Sequence, residues 1–134
     1  MTIEQIKKEA LKLMFTNQDN DIDTKTIKEL LQDDNYGDYL VNMYGCINRA
    51  IVRLKSKGVE YTGERLTGKE EDSTELPLDP ALCELIPYFI KGELYEEDNP
   101  QQAAIAKNYF ESTVDDYLAT KMHTEVELYW KWEV

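Results

Sequence analysis

The stretch LIPYFIKGELYEEDNPQQAAIAKNYFE, Leu85 to Glu111, constrains this chain more than any other. With Leu82 just upstream, its first half places Leu85, Ile86, Phe89, Ile90 and Leu94 around more than half of a helical circumference. A helix of that kind must be wrapped by others. Asp79-Pro80 is a favoured cap and first helical position, so this helix is expected to run from there to about Glu97. Pro87, two turns in, removes a backbone donor and predicts a kink or a 3₁₀ start. The segment then turns acidic and stops at Asn99-Pro100, a second cap and start pair. The next helix is expected to reach about Lys121, with Ala103, Ala106, Phe110, Val114 and Tyr117 inward and Ile105 and Tyr109 roughly opposite. Phe89→Ala, as a large-to-small core change, is expected to cost roughly 3–5 kcal/mol.

Around that pair the pattern is also helical. Thr2 and Gln5 match a capping box before a helix from Ile3 to Phe15, with Ile3, Ile6, Ala10, Leu13 and Met14 on one stripe. TNQDNDID breaks it, and a short helix follows over Lys25 to Leu31, capped by Asp23 or Thr24. A long helix spans Tyr36 to Lys57, with Leu40, Met43, Tyr44, Ile47, Ile51 and Leu54 on one face and Gly58 at its C-terminal cap. Val41 and Val52, with Asn48 between them, lie to one side, so this helix has surface for two neighbours. Val59 to Asp79 loses the pattern and reads as a short hairpin or a loop, with VEYT and TELPL as its possible arms. The closing EVELYWKWEV alternates, with Val126, Leu128, Trp130 and Trp132 on one side, which predicts a strand-like tail. The expected fold is all-α: four to five helices in a bundle, a hairpin or loop insertion, and that tail. Residues 1–124 form the helical domain and 125–134 a docking segment.

Charge narrows the function. A formal net charge of −12 argues against a protein that grips phosphate backbones, which needs clustered Lys and Arg. No apolar run approaches the roughly 20 residues of a membrane helix. The N-terminus lacks the apolar core and small-residue cleavage site of a signal peptide, so synthesis in the cytoplasm is expected. Cys46 and Cys83 fall inside helices and read as reduced, packing residues. Nine Tyr stand against three Phe and two Trp, and tyrosine suits protein interfaces.

Motifs for chemistry are sparse. His123 has no nucleophile in context and reads as a surface residue after a helix. Asp19 to Asp23 opens like a calcium loop, but Thr24 stands where glycine belongs and Leu30 where the closing glutamate belongs. Glu93 and Glu96 have the spacing with which helical nucleotide pyrophosphatases hold magnesium; Glu111 and Asp115 offer a second pair at the wrong spacing. YWKW lacks the basic surround of a base-stacking platform and reads as a core or interface anchor. Glu93 lies in line with Leu82 and Ile86, which leaves two readings: a partly buried, hydrogen-bonded carboxylate with Asn48 as the candidate partner, or a helix end in water.

Leu85 to Glu111, the long helix YLVNMYGCINRAIVRLKSKG and the closing VELYWKW together resemble phage head–tail connector proteins, the small helical adaptors of long-tailed bacteriophages. The resemblance extends from about Ile3 to Trp132 and is weakest over Val59 to Leu76. It implies a virion protein that binds the portal vertex as a twelve-fold ring, extends the DNA channel and offers a platform to a downstream neck or tail-completion protein. It also implies no catalytic site and no cofactor, assembly in the host cytoplasm, and DNA that passes without specific binding.

A ring subunit meets its neighbour through two different faces. Tyr88, Tyr95, Ile105, Tyr109, Leu128, Trp130 and Trp132 are therefore the candidate contacts to neighbouring copies or the portal. Carboxylates on the channel wall would keep phosphates from sticking; equally, the acidity serves solubility before assembly. The competing functions are a helical metal-dependent nucleotide hydrolase and an acidic DNA-mimic binding module.

Overall fold

The computed structural model describes residues 1–15 and 22–132, with 123–132 described by backbone alone. The helices are α1 (Ile3–Met14), α2 (Ile27–Leu31), α3 (Gly37–Ser56), α4 (Pro80–Cys83), α5 (Ile86–Leu94) and α6 (Pro100–Trp132). Among the described residues there is no strand, so the architecture is all-α.

Local chemistry sets the boundaries. Thr2 Oγ1 accepts from Gln5 N at 3.1 Å while Thr2 N donates to Gln5 Oε1 at 2.8 Å, the expected capping box. The cap of α2 is Thr26, which exchanges the same pair of bonds with Glu29, rather than Asp23 or Thr24. The capping box places the helix start where both partners meet, three residues apart. At the end of α3, Gly58 sits at φ +103°, Val59 N donates to Leu54 O and Gly58 N to Lys55 O, both at 3.0 Å. That left-handed residue and its two bonds close α3 and turn the chain away.

The single helix expected from Pro80 to Glu97 is two. Asp79 caps α4, with Ala81 N on its Oδ1 at 2.9 Å. The chain then tightens, Tyr88 N reaching back only three residues to Leu85 O, and Pro87 lies in the first turn of α5. Proline is tolerated there because first-turn donors have no intrahelical acceptor.

α5 is central: it packs against α1, α3, α4 and α6. Ile86 and Ile90 are fully buried on it. One apolar cluster joins α1, α2, α3 and α5; a second gathers Leu54, Leu82, Leu85, Phe110 and Val114, and Phe89 touches both. Phe89 is nevertheless only half-buried, edge-on to the fully buried Phe110 with ring centroids 5.1 Å apart. The larger core aromatic is thus Phe110. α5 and α6 approach closely at Gly92, where an added Cβ would stand 2.6 Å from Lys107 Cγ and 3.5 Å from Ala103 O.

Between α3 and α4 the chain makes a loop and no hairpin. The arm TELPL pairs with the N-terminus instead of with VEYT: Thr2 and Glu75 form an isolated antiparallel bridge, and Leu76 N donates to Met1 O at 3.1 Å. Val59 N is already used in closing α3, which removes the first donor a hairpin would need.

The expected strand-like tail is also corrected. α6 continues as helix through Trp132, crossing the boundary expected at residues 124/125 without a break, and it carries His123 inside it. The physical reason is backbone satisfaction. A short strand needs a partner for its N–H and C=O groups, and no described residue forms a strand; continuing the helix pairs each group within the segment. Residues 16–21, which include Asp19 of the calcium-like turn, and residues 133–134 lie outside the described residues.

Candidate interaction surfaces

A row of ion pairs joins α3 to α5 and α6. Arg49 grips Glu93 through Nε at 2.8 and 2.9 Å and through Nη2 at 2.6 Å. Arg53 holds Glu111 in a fork, Nε to Oε1 at 2.7 Å and Nη2 to Oε2 at 2.9 Å. Lys57 lies 2.7 Å from Glu111 and 2.6 Å from Asp115, and Lys107 lies 3.1 Å from Glu96. The hydrogen bond from Arg53, then that from Lys57, holds the Glu111 carboxyl down at about 2. Glu93 and Glu96, and the second pair Glu111 and Asp115, are thus each matched to a cation of this chain. Among the described residues, no group of three or more His, Cys, Asp or Glu converges as a metal site.

Glu93 is half-buried and hydrogen-bonded, and its partner is Arg49. Asn48, the one buried polar residue among those described, turns instead to the loop and pairs with the backbone of Leu66. The reason is position: Asn48 and Arg49 are about 100° apart on α3, so only one of them faces α5.

Two apolar patches remain in solvent on the two helices that the Arg53–Glu111 pair joins. On α3, Val41 and Val52 are 59% and 65% exposed; on α6, Ile105 and Tyr109 are 56% and 46% exposed. The valines lie roughly 100° or more around α3 from Arg53, and Ile105 and Tyr109 roughly 120° or more around α6 from Glu111.

The remaining candidates divide. Tyr88 is half-buried, its ring 4.3 Å from that of Tyr109, and both edge an open groove of about 740 Å³ with Gln5, Glu9, Leu13 and Leu85. Tyr95 serves the fold: its hydroxyl donates to Met14 O and its ring meets Tyr39 edge-on at 6.3 Å. It ties the end of α5 to the end of α1. Leu128, Trp130 and Trp132 lie on the last turns of α6, where only the backbone is described. Tyr117 and Leu118 still pack on the bundle, while Met122 is 68% exposed.

Both cysteines are buried and free. Burial pushes the Cys46 thiol up to about 12 and raises that of Cys83, so neither is poised as a nucleophile. No described helix is long and apolar enough to cross a membrane.

Sequence reasoning passed over Arg49 and the exposed cations Lys55 and Arg65. The signal for the latter two was readable: Lys55 has no acidic residue three or four positions away, and Arg65 lies in a loop, so helical neighbours neutralise neither. No family model, curated protein or solved structure matches this chain.

Proposed function

We propose that this chain is a head–tail connector adaptor of a long-tailed phage, a structural subunit that forms a ring on the portal vertex. In that role it extends the DNA channel and presents a platform to a downstream neck or tail-completion protein. It acts at the head–tail interface of the virion, after assembly in the host cytoplasm, and carries no catalytic centre or cofactor. The observation that supports this reading is the pair of unlike apolar patches, Val41 with Val52 and Ile105 with Tyr109, on different helices. A head-to-tail ring needs two such patches on one subunit, whereas a two-fold dimer needs one self-complementary patch. The ion-paired seam lets the subunit enter a ring as one rigid body, and an acidic channel wall would not retain DNA. The end of α6, with Leu128, Trp130 and Trp132, is the segment for docking on a neighbour or the portal.

Val41→Glu and Ile105→Glu test the two-patch requirement. Each alone is expected to block ring formation on a portal from the same genome. A mixture of the two is expected to yield a single-contact dimer, since each variant keeps the patch the other lacks. Assembly that survives either substitution, or magnesium-dependent nucleotide turnover by the purified chain, contradicts the reading.

A further inference from the structure

The loop between α3 and α4 covers one side of α3 and leaves a cleft of about 180 Å³, enough for one large side chain. Ile51, Val52 and Tyr61 supply its apolar lining, and Lys55 and Arg65 lie on the same cleft. Neither cation has a carboxylate partner among the described residues, and both are exposed. Their neighbours on α3 differ: Arg49, Arg53 and Lys57 are all committed to Glu93, Glu111 and Asp115. Glu64 is the one carboxylate on the cleft, so the site keeps a local excess of positive charge on a chain of net charge −12.

We propose that this cleft is the seat for the C-terminal end of α6 from a second copy of this chain. The match is one of charge and apolarity. Residues 123–132, HTEVELYWKW, carry Glu125 and Glu127 among Val126, Leu128, Tyr129, Trp130 and Trp132, with Lys131 the one cation. Glu125 and Glu127, which flank Val126 in sequence, are the charge match for Lys55 and Arg65, which line the cleft together with Val52. The same chain does not supply the occupant. Its α6 is one helix through Trp132, and Tyr117 to Met122 already lie beside Lys57 to Glu60 and Asp79, at a different depression. This contact deepens the ring reading and rests on it, because it joins two different surfaces of successive copies.

The test is sedimentation of the full chain over a concentration series, at about 0.15 M and about 1 M salt. Self-association is expected at the lower salt and is expected to weaken at the higher. Lys55→Glu with Arg65→Glu should weaken it roughly tenfold or more, and adding Glu125→Lys with Glu127→Lys should restore it. Carbodiimide cross-linking of an equal mixture of isotopically light and heavy wild-type chains needs no variant to fold. It is expected to join Lys55 of one copy to Glu125 or Glu127 of another. A monomer at every concentration, reversal variants that associate like wild type, a charge swap that does not rescue, or Lys55 cross-links only within one copy overturn the proposal. Portal binding separates the two readings: rings on a portal without this contact remove the contact alone, and this contact without portal binding removes the connector role.

Discussion

Asn48 and Leu66 form a reciprocal amide pair across 18 positions of sequence, Asn48 Nδ2 donating to Leu66 O and Leu66 N donating to Asn48 Oδ1, both at 2.8 Å. The pair pins the middle of a long loop that has no regular structure of its own to hold it. It also buries the side chain of Leu66 against the core. Only an amide at position 48 supplies a donor and an acceptor in that geometry.

Asn48→Ala leaves a backbone N–H and C=O of Leu66 without their partners. The expected cost is about 2 kcal/mol by chemical denaturation, with faster tryptic cleavage after Arg65. Asn48→Asp is expected to be no better, because a carboxylate accepts from Leu66 N but faces Leu66 O with like charge. An unchanged denaturation midpoint and unchanged cleavage in Asn48→Ala contradict the anchoring role.

Phe110 outweighs Phe89 in the core, although both are aromatic and they touch. Phe110→Ala is expected to lose about 3–5 kcal/mol as a fully buried deletion. Phe89→Ala is expected to lose less, about 2 kcal/mol, because part of its ring already meets water. Equal losses contradict the division.

Gly92 distinguishes a small from a branched side chain. The nearest obstacle to a Cβ is Lys107 Cγ, on a flexible side chain, while Ala103 O lies at ordinary contact distance. Gly92→Ala is expected to cost about 1 kcal/mol, since Lys107 Cγ lies near the root of its side chain and moves only by a change of χ1, which the helix-propensity gain offsets in part. Gly92→Val cannot be absorbed that way and is expected to cost about 1–3 kcal/mol. Thermal melts that rank the two the other way contradict the close packing of α5 on α6.

Acid weakens the seam in a defined window. The folded Glu111 carboxyl is held down at about 2, from an ordinary value of 4.5, first by Arg53 and then by Lys57. A depressed carboxylate adds stability that is fully present above the ordinary value and lost as pH falls toward the folded one. The melting temperature of Glu111→Gln is therefore expected to lie below wild type at pH above about 5 and to converge on it between about pH 4.5 and 2. The gap is modest, because the side chain is 36% exposed and solvent screens the pair. A gap that persists at pH 2 contradicts the ion pair as its source.

The legibility of this fold followed the range of the interactions. The capping box at Thr2, the αL turn at Gly58 and the Asn99-Pro100 start are local, and each was readable from a few adjacent residues. So was the central place of the segment after Leu85, because an apolar run that encircles a helix leaves no alternative. The break before Pro87 was readable as strain but not as two helices, since its outcome depends on Leu85 packing. The tail misled because VELYWKW satisfies period two and also lays Met122, Val126 and Tyr129 along one helical line. Which period wins depends on whether a partner strand exists, a tertiary fact. Arg49 with Glu93, Asn48 with Leu66 and Tyr95 with Met14 all join distant segments, so no local pattern announces them. Ile105 and Tyr109 were legible as a face, because exposure on a two-sided helix follows from the stripe opposite.

The connector reading turns most directly on microscopy of the purified chain mixed with the portal protein encoded in the same genome. Closed rings seated on the portal vertex, matching its symmetry and lost when residues 125–134 are deleted from an otherwise helical protein, are the predicted result. A chain that leaves the portal bare at concentrations where it is folded contradicts the account.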